Sequence, residues 1–435
     1  MSPSHPNPHT GPKPPIPAPL RGEETGTFTH YTLSVRMPEI GRRILPENNF
    51  PAEIVKRLEA LLADLTDLHS RIRALEDPGA PDQADWERYS APFRRLNWLQ
   101  APWFFAETYY YRRILEATRY FQPGPLEGFD PYTYQKQQGL AAFQPAIRAA
   151  CELVDGFLRD RPKAAEQAQA QLAGLILVNL WGNQADLSMW PVGHNEQEAP
   201  AYKKRPDHQN ANQQHAHMLC DHSQQAVVHL LSLPTSSTQV DFILDNAGLE
   251  LVHDLLLADY LLSAGIAWRV NFHLKPHPTF VSDAMIPDVQ HTLNFLAGLS
   301  NPAARSAAKR LGDHIKNQSL CLLTHFFWTS PLPMWELPPE LQVILGRSAL
   351  LLSKGDANYR RLCGDRHWPY HTRLSDAWRY LPAPILALRV SKSEVMVGLQ
   401  PGQAEQMNQV DPKWLVNGRW GVAQFNNKVT SDYPR

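Results

Sequence analysis

The sequence has few cysteines, and they follow no spacing that would organise them. Among 435 residues only Cys151, Cys220, Cys321 and Cys363 occur, far apart and without a CxxC pair. Cysteines this sparse are typical of reduced core thiols, whereas a disulfide framework needs a denser set. We therefore expect no disulfide-based fold.

The sequence also lacks membrane-directed segments and an excess of charge. No apolar run approaches the roughly 18 residues of a membrane span, and the N-terminus lacks the basic and apolar parts of a signal peptide. Lys and Arg number 42 against 43 Asp and Glu. This balance gives no global attraction to nucleic acid or to an anionic membrane. We expect a cytoplasmic protein with neither partner; the sequence leaves the oligomeric state open.

Helical spacing dominates the first half of the chain, after a proline-rich start. Residues 1–27 are rich in Pro, His and Thr and are predicted to be a disordered tail, because they offer little apolar surface to bury. Apolar residues then recur at helical spacing over four segments. These predicted helices are 54–75, 101–120, 134–158 and 163–180. The pattern predicts a mainly helical domain over residues 28–225.

The pattern changes in the second half, where apolar runs alternate with helical segments. The predicted strands are 239–245, 267–273, 319–327, 348–353 and 384–390, and helices over 249–263 and 288–299 lie between them. Alternating strands and helices indicate a doubly wound, mainly parallel α/β/α sandwich. We therefore predict an α/β fold, with the helical N-terminal region packed on a catalytic domain over residues 226–435.

Polar side chains follow these strands, at the sheet edge where such folds bind ligands. Asp245 and Asn246 come directly after the first strand, and Asp283 follows the second. Carboxylate and amide oxygens suit Mg²⁺ or Mn²⁺, and the helix that starts near Gly248 can bind an anion at its N-terminus. Asp245, Asn246 and Asp283 are therefore the predicted metal ligands and catalytic residues.

Cationic groups follow the later strands. Lys354, with the backbone amides around Gly355, and Lys392 could bind an anion, and Glu250 lies one helical turn beyond Asn246. Each of these residues could instead be an ordinary turn or capping residue. The prediction of a site depends on several such clusters sharing one edge of the sheet.

Two other features invite alternatives. His215, His217, Cys220 and His222 could bind zinc, but their spacing matches no structural zinc pattern and their neighbours are Gln and Asn, which favours a solvated loop. Glu107 lies among Trp103, Phe104 and Phe105 on a predicted helix. A carboxylate in such surroundings needs a buried partner or a functional role.

Taken in order, these motifs resemble the damage-control phosphatase family, formerly domain of unknown function eighty-nine. They are most similar to its third subfamily, the acidic-residue-methyltransferase-like group. The resemblance covers nearly all of the chain after the tail, and the segments that carry it are 102–113, 182–188, 245–251, 280–283 and 354–360.

The resemblance implies a divalent metal, Mn²⁺, Mg²⁺, Ni²⁺ or Co²⁺, held by Asp245, Asn246 and Asp283. It also implies supporting positions near the site at Glu107, Asn183 and Asp186. The implied contacts to substrate and phosphate come from Glu250, Lys354, Gly355, Asp356, Asn358, Arg389 and Lys392.

One position departs from the subfamily pattern. The late signature of the subfamily is Arg-Thr-x-Lys, whereas this sequence has Arg389, Val390, Ser391 and Lys392. Because the arginine and the lysine remain, phosphate binding is expected to survive. The change at Val390 bears on substrate preference or on the orientation of this loop.

The resemblance implies metal-dependent hydrolysis of phosphomonoesters of small metabolites, such as fructose 1-phosphate, in a house-cleaning role. Asp245 is the candidate nucleophile if the route is covalent, and a water held by the metal is the alternative. The runner-up activity is an S-adenosylmethionine-dependent carboxyl methyltransferase, although the chain lacks an early glycine-rich loop. A third reading is a non-catalytic sensor of phosphometabolites.

Overall fold

A seven-stranded sheet forms the centre of the molecule. The computed structural model describes residues 11–182 and 215–427. The strands are β1 (Met218–Asp221), β2 (Gln239–Ile243), β3 (Arg269–Leu274), β4 (Leu320–Thr324), β5 (Leu350–Lys354), β6 (Ile385–Val390) and β7 (Gly421–Asn426). Their order across the sheet is β1-β7-β6-β5-β2-β3-β4. Neighbouring strands are parallel except for the antiparallel pair β6 and β7, so the predicted α/β fold is confirmed.

Helices cover both faces of this sheet. In the first half of the chain they are α1 (Phe28–Tyr31), α2 (Met37–Glu47), α3 (Ala52–Thr66), α4 (Gln83–Ser90), α5 (Trp103–Ala117), α6 (Thr133–Ala142), α7 (Gln144–Arg159) and α8 (Ala165–Trp181). Later come α9 (Ser223–Leu231), α10 (Leu249–Ser263), α11 (Ile286–Gly298), α12 (Pro302–Lys316), α13 (Pro339–Leu345), α14 (Gly355–Cys363), α15 (Leu374–Ala377) and α16 (Gln403–Val410). A π-helical turn, Thr32–Arg36, links α1 to α2.

Side chains of the central strand β2 divide between two apolar cores, because successive residues of a strand point to opposite faces. Val240 and Phe242 belong to a core shared with α7–α12. Ile243 belongs to a second core, which includes residues of α2, α3 and α5. Helices α1–α5, with the π-helical turn, are therefore part of one outer layer of an α/β/α sandwich, the N-terminal layer, whereas α7 and α8 pack on the opposite face.

The predicted boundary at residue 225 falls inside this sandwich. Helices α7 and α8 contribute residues such as Ile147 and Leu172 to the core that also contains Val240. Strand β1 precedes residue 225 and pairs with β7. The two predicted domains, residues 28–225 and 226–435, therefore share hydrophobic cores in the folded chain.

The expectation of a disordered tail over residues 1–27 is wrong for the part that the structure describes, residues 11–27. Leu20 is buried and pairs through its backbone with two distant residues: its N–H donates to Asp365 O (2.9 Å), and its carbonyl accepts from Trp103 N (2.8 Å). The Arg366 guanidinium donates to Pro17 O at 2.6 Å. Composition predicted disorder because these partners lie far away in the sequence.

Several element boundaries also differ from the prediction. The predicted helix over 134–158 is two helices, because α7 begins anew at Gln144 with a proline in its first turn. Strands β1 and β7 were not predicted. β1 has only four residues and follows a polar, histidine-rich stretch, whereas β7 has six residues, of which only Val422, Ala423 and Phe425 are apolar.

All four cysteines are free thiols; Cys151 and Cys363 are buried, and Cys220 and Cys321 are half-buried. Within residues 11–182 and 215–427, no helix is both long enough and apolar enough to cross a membrane.

The ordered N-terminal segment generates a stability prediction. Leu20 is 3% exposed, so Leu20→Ala should lower the free energy of unfolding by about 2–4 kcal/mol, through lost burial and a residual cavity. The measurement is the urea midpoint followed by circular dichroism. Leu68→Ala, at a side chain that is 60% exposed, should change the free energy by less than about 0.5 kcal/mol. Equal, small effects at both positions would contradict the packing of this segment.

Candidate active site

The loops that follow β2 and β3 are joined at the carboxyl edge of the sheet. Ala284 N donates to Asp245 O at 2.7 Å, and Ala247 N donates to Ser282 O at 2.6 Å. Between these bonds, Asn246 and Asp283 form an isolated antiparallel bridge. The backbone therefore places the three predicted metal ligands side by side, although Asp283 is distant from the other two in the sequence.

A strained turn leads into Asp283. Phe280 and Val281 have positive φ angles of 47° and 69°, a region that side chains with a branched Cβ rarely adopt. The Ser282 N–H donates to Phe280 O at 2.8 Å, which closes a tight three-residue turn. Val281 is fully buried. Packing around Val281 therefore holds a backbone that locally costs on the order of 1–3 kcal/mol, and strain of this kind is frequent at functional sites.

The Asn246 carboxamide is held by three neighbours. Its nitrogen donates to Asp245 Oδ2 (2.8 Å) and to Glu250 Oε2 (2.9 Å). Its oxygen accepts from the Ser282 hydroxyl at 2.5 Å. These contacts orient the carboxamide, whose oxygen has a second lone pair available for a cation.

A buried ion cluster supports Glu250 from behind. Lys354, which is 0% exposed, places its ammonium 3.0 Å from Glu250 Oε1 and 3.3 Å from Asp254 Oδ1, and donates to Asn179 O at 3.0 Å. Burial raises the pKa of Asp254 to about 6. Burial opposes the charged form of Lys354, but the two carboxylates outweigh it and raise the pKa of the lysine. The Lys354 ammonium thus lies behind the site, in contact with carboxylates.

Gly355 allows the Asp245 carboxylate to approach the backbone of β5 and α14. Its φ is 79°, and a Cβ at this position would lie 1.8 Å from Asp245 Oδ2. Only glycine combines this φ with the absence of a side chain. The carboxylate therefore occupies space that any other residue at position 355 would fill.

Asp356 organises the loop after β6. Its Oδ1 accepts from Arg389 Nε (2.7 Å), from Lys392 N (3.1 Å) and from the Ser393 hydroxyl (3.1 Å). The Arg389 guanidinium also donates to Ser393 O and to Val395 O, and lies over the Tyr359 ring. Arg389 thus shapes the loop that carries Lys392.

The departure at Val390 lies in the core. Val390 is the last residue of β6, its side chain is fully buried, and it pairs with Gly421 of β7. A valine suits an apolar environment on a strand. Position 390 therefore influences the loop through packing at the end of β6.

Across from the strand ends, residues of the N-terminal layer and of α14 form the other wall of the site. Arg360 of α14 pairs with Glu107 of α5 at 2.6 Å and with Asp365 at 2.7 Å, and its guanidinium lies 3.5 Å from the centre of the Trp103 ring. Glu107 thus has the buried partner that its apolar surroundings required. Arg36, from the π-helical turn, lies on the same wall and lines the cavity between this wall and the strand ends.

Together these residues enclose a cavity of about 50 Å³. Of the predicted site residues, Glu107, Asp245, Asn246, Asp283, Asp356 and Lys392 line it. Glu250, Lys354, Gly355, Asn358 and Arg389 lie behind this lining. Asn358 donates to Leu244 O (3.0 Å) and to Lys354 O (2.9 Å), which ties the ends of β2 and β5 together. Asn183 and Asp186 lie outside the described residues.

Sequence reasoning missed several residues of this wall: Arg36, Trp103, Phe280, Ala357 and Arg360. Trp103, Phe280, Ala357 and Arg360 fall within the segments that carried the resemblance, but nothing in their spacing indicated that they line the site. Lys275 was also missed, and its ammonium lies 3.3 Å from Asp283 Oδ2. Arg36 has no local signal, because only the packing of the N-terminal layer brings it to the site.

The donor set fits a hard divalent cation. Two carboxylates, Asp245 and Asp283, and the amide of Asn246 line one cavity, and oxygen donors of this kind suit Mg²⁺ or Mn²⁺. Within the described ranges no three His, Cys, Asp or Glu side chains form a cluster that could hold a metal.

The zinc alternative finds little support in the part of its stretch that is described. His217 lies against Trp420, and Cys220 Sγ is 3.2 Å from His222 Nε2. Burial raises the pKa of Cys220 to about 12 and lowers that of His222. None of these side chains belongs to a metal-binding cluster among the described residues.

Comparisons with known proteins identify a family and several relatives. A family model described as "Damage-control phosphatase ARMT1-like domain" matches residues 32–407. The chain is 33% identical over 444 residues to damage-control phosphatase ARMT1 of Danio rerio, covering 94% of this chain and 97% of the relative. It is 30% identical over 454 residues to the Homo sapiens protein of the same name, covering 95% and 99%.

Among solved structures, the chain is similar to a DUF89 family protein from Pyrococcus horikoshii. The identity is 14% and the TM-score is 0.45, with 91% of this chain and 98% of the other covered.

The contact at Gly355 generates a prediction. Gly355→Ala should weaken Mn²⁺ binding at least about tenfold, because the new Cβ displaces the Asp245 carboxylate. Isothermal titration calorimetry on metal-stripped protein measures this affinity. Gly402→Ala is the matched control, since Gly402 has a φ of 82° and no atom near its missing Cβ. It shares the backbone strain without the clash and should bind Mn²⁺ normally. Equal affinities for the two variants would show that this close approach is unimportant.

Proposed function

The chain belongs to the damage-control phosphatase ARMT1-like family, and we propose that it hydrolyses phosphomonoesters of small metabolites with the help of a divalent metal. Family membership supports a house-cleaning phosphatase role. The observation that carries the finer proposal is the joining of two carboxylates and an amide, with the Lys392 ammonium in the same cavity lining. We propose sugar phosphates such as fructose 1-phosphate as substrates.

Asp245, Asn246 and Asp283 would hold the metal. When bound there, Mn²⁺, Mg²⁺, Ni²⁺ or Co²⁺ would supply Lewis-acid polarisation of the phosphoryl group and neutralise part of its charge. The contacts of Asn246 with Glu250 and Ser282 keep the three donors in one arrangement before substrate arrives. Such preorganisation avoids a reorganisation cost during the reaction.

Lys392 would bind phosphate oxygens. Its backbone is fixed by Asp356, which also holds Arg389, so the loop presents the ammonium from a fixed position. A lysine contributes as a compact positive charge with three donors. Arg36 and Arg360 line the opposite wall, where Glu107 and Asp365 pair with Arg360.

Lys354 acts through Glu250 in this proposal. Its three contacts within the ion cluster satisfy the ammonium, so it serves the site by holding the carboxylate that orients Asn246. Asp245 remains the candidate nucleophile for a covalent route, and an attacking water is the alternative.

The cavity is small for a whole substrate. Its volume of about 50 Å³ is far below the roughly 300 Å³ at the lower end of small-molecule pockets. It accommodates the cation and the phosphoryl group. The remainder of a sugar phosphate would therefore lie against the wall formed by Arg36 and Trp103, and that wall would have to move outward on binding.

The first experiment is phosphate release from a panel of sugar phosphates by metal-stripped protein, repeated after addition of Mg²⁺, Mn²⁺, Co²⁺ or Ni²⁺. Asp245→Ala should lower kcat/KM at least about a hundredfold, because it removes a metal donor. Asp313→Ala, at an exposed carboxylate of α12, should behave as the wild type. The absence of release with every metal from folded wild-type protein would contradict the proposal, and so would near-full activity of Asp245→Ala.

Replacement of Lys392 tests the phosphate contact separately. Lys392→Ala should raise KM about tenfold, because a charge-assisted contact to substrate is lost while the metal donors remain. Steady-state kinetics of phosphate release give KM, and Mn²⁺ titration checks that metal affinity is retained. The exposed Lys316 provides the control variant Lys316→Ala. An unchanged KM would remove Lys392 from the substrate contacts.

A further inference from the structure

A second and larger cavity lies beside the active-site cavity. Its volume is about 460 Å³. At two places in the chain, one of two consecutive residues lines the first cavity and the other lines the second. Trp103 and Arg360 line the active-site cavity, whereas Phe104 and Arg361 line the second one. Two adjacent side-chain pairs therefore separate the cavities, and the proposed phosphatase chemistry uses no residue of the larger one.

The walls of this second cavity are aromatic and proline-rich. Tyr89, Phe93, Phe104 and Phe105 line it together with several prolines. The rings of Phe93 and Phe105 lie 4.4 Å apart and tilted by 46°, so together they present a shaped aromatic surface. Aromatic walls of this kind favour planar aromatic partners, through offset stacking and edge contacts.

Two arginines line the cavity without a carboxylate partner. In the described parts of the chain, no carboxylate oxygen lies within 4 Å of the guanidinium of Arg361 or Arg366, although each makes hydrogen bonds to backbone carbonyls. The Nε–H of each side chain is buried and lacks an acceptor. Burial lowers the pKa of both guanidinium groups, because removal from water disfavours the charged form.

Two carboxylates also line the cavity, and neither forms an ion pair with Arg361 or Arg366. Asp365 is engaged by Arg360 at 2.7 Å. Glu336 lies in the same lining; burial raises the pKa of its carboxyl, and its attraction to Arg366 opposes that rise. The cavity therefore combines an aromatic surface with two guanidinium groups that no carboxylate contacts directly.

We propose that this second cavity is a binding site for a planar aromatic compound that carries a carboxylate or phosphate group. The ring system would stack among Phe93, Phe104 and Phe105, and the anionic group would face Arg361 and Arg366. The volume falls within the roughly 300–1,000 Å³ of small-molecule pockets. An anionic group there would be attracted by two guanidinium groups that have no direct carboxylate partner, a gain that a neutral analogue cannot provide.

The test uses 1-naphthoate as the probe, with neutral 1-naphthamide as its matched analogue, on the full-length protein. Saturation-transfer NMR detects contact, and calorimetry gives the dissociation constant. We expect 1-naphthoate to bind at least about tenfold more tightly than 1-naphthamide, because only the acid can pair with the guanidinium groups. Equal affinities, or no binding of either compound, would overturn the proposal.

Variants locate the binding. Arg366→Gln should weaken 1-naphthoate at least about tenfold, whereas Arg373→Gln, at an exposed arginine outside the cavity, should leave it unchanged. Leu332→Trp, which adds a large side chain to the cavity wall, should abolish binding in folded protein without removing a charge. Lys392→Ala should bind 1-naphthoate normally, since Lys392 belongs to the other cavity.

The variants also separate this proposal from the phosphatase assignment. Loss of 1-naphthoate binding in Lys392→Ala, with retention in Arg366→Gln, would place the probe in the active site and overturn the second site. Failure of phosphate release would leave these binding measurements unaffected, because none of them depends on turnover.

Discussion

The buried ion cluster around Lys354 is the interaction on which the active site depends. One ammonium from the end of β5 contacts Glu250 and Asp254 of α10 and the backbone of α8. Unpaired charges at this depth would cost several kcal/mol each, so the cluster is stable only as a complete set. It fixes the first turn of α10 relative to the strand ends. Glu250 then orients the Asn246 carboxamide from that position.

Close backbone approach is the second constraint, and it explains where local strain is tolerated. Asp245 needs the space that Gly355 leaves empty, and Asp283 follows two residues with positive φ angles. Each feature is unfavourable by itself. The buried side chain of Val281 and the antiparallel bridge between Asn246 and Asp283 compensate for it. The oxygen donors of Asp245, Asn246 and Asp283 are therefore placed by rigid main chain, which suits the proposed binding of a cation and a phosphoryl group in one geometry.

The N-terminal layer is part of the site as well as of the sandwich. Arg36, Trp103 and Glu107 form the wall opposite the strand ends. Arg360 joins that wall to α14 through Glu107 and through its stacking on Trp103. The same region separates the active-site cavity from the larger aromatic cavity. Movement of this layer would thus change access to Asp245, Asn246 and Asp283 and the shape of the second cavity together.

By itself, the amino-acid sequence determined the α/β class and the residues at the strand ends. Both are local properties: alternation of apolar runs and helical segments reports on strand and helix, and in a parallel sheet the polar residues after each strand must share one edge. Asp245, Asn246 and Asp283 could therefore be grouped before any coordinates were known. Strands β1 and β7 were missed because β1 has only four residues and only three of the six residues of β7 are apolar, which is too weak a pattern.

Only the tertiary structure decided the roles that depend on distant partners. Lys354 and Arg389 were expected to face phosphate, but their buried carboxylate partners turn them into supports for Glu250 and for the Lys392 loop. The ordering of residues 11–27 depends in the same way on contacts to Trp103 and Asp365. The physical reason is the same in each case. Whether a charged or backbone group can bind a ligand or instead supports the fold depends on the partner that pairs with it and removes it from water. That partner can lie hundreds of residues away, where no local pattern records it.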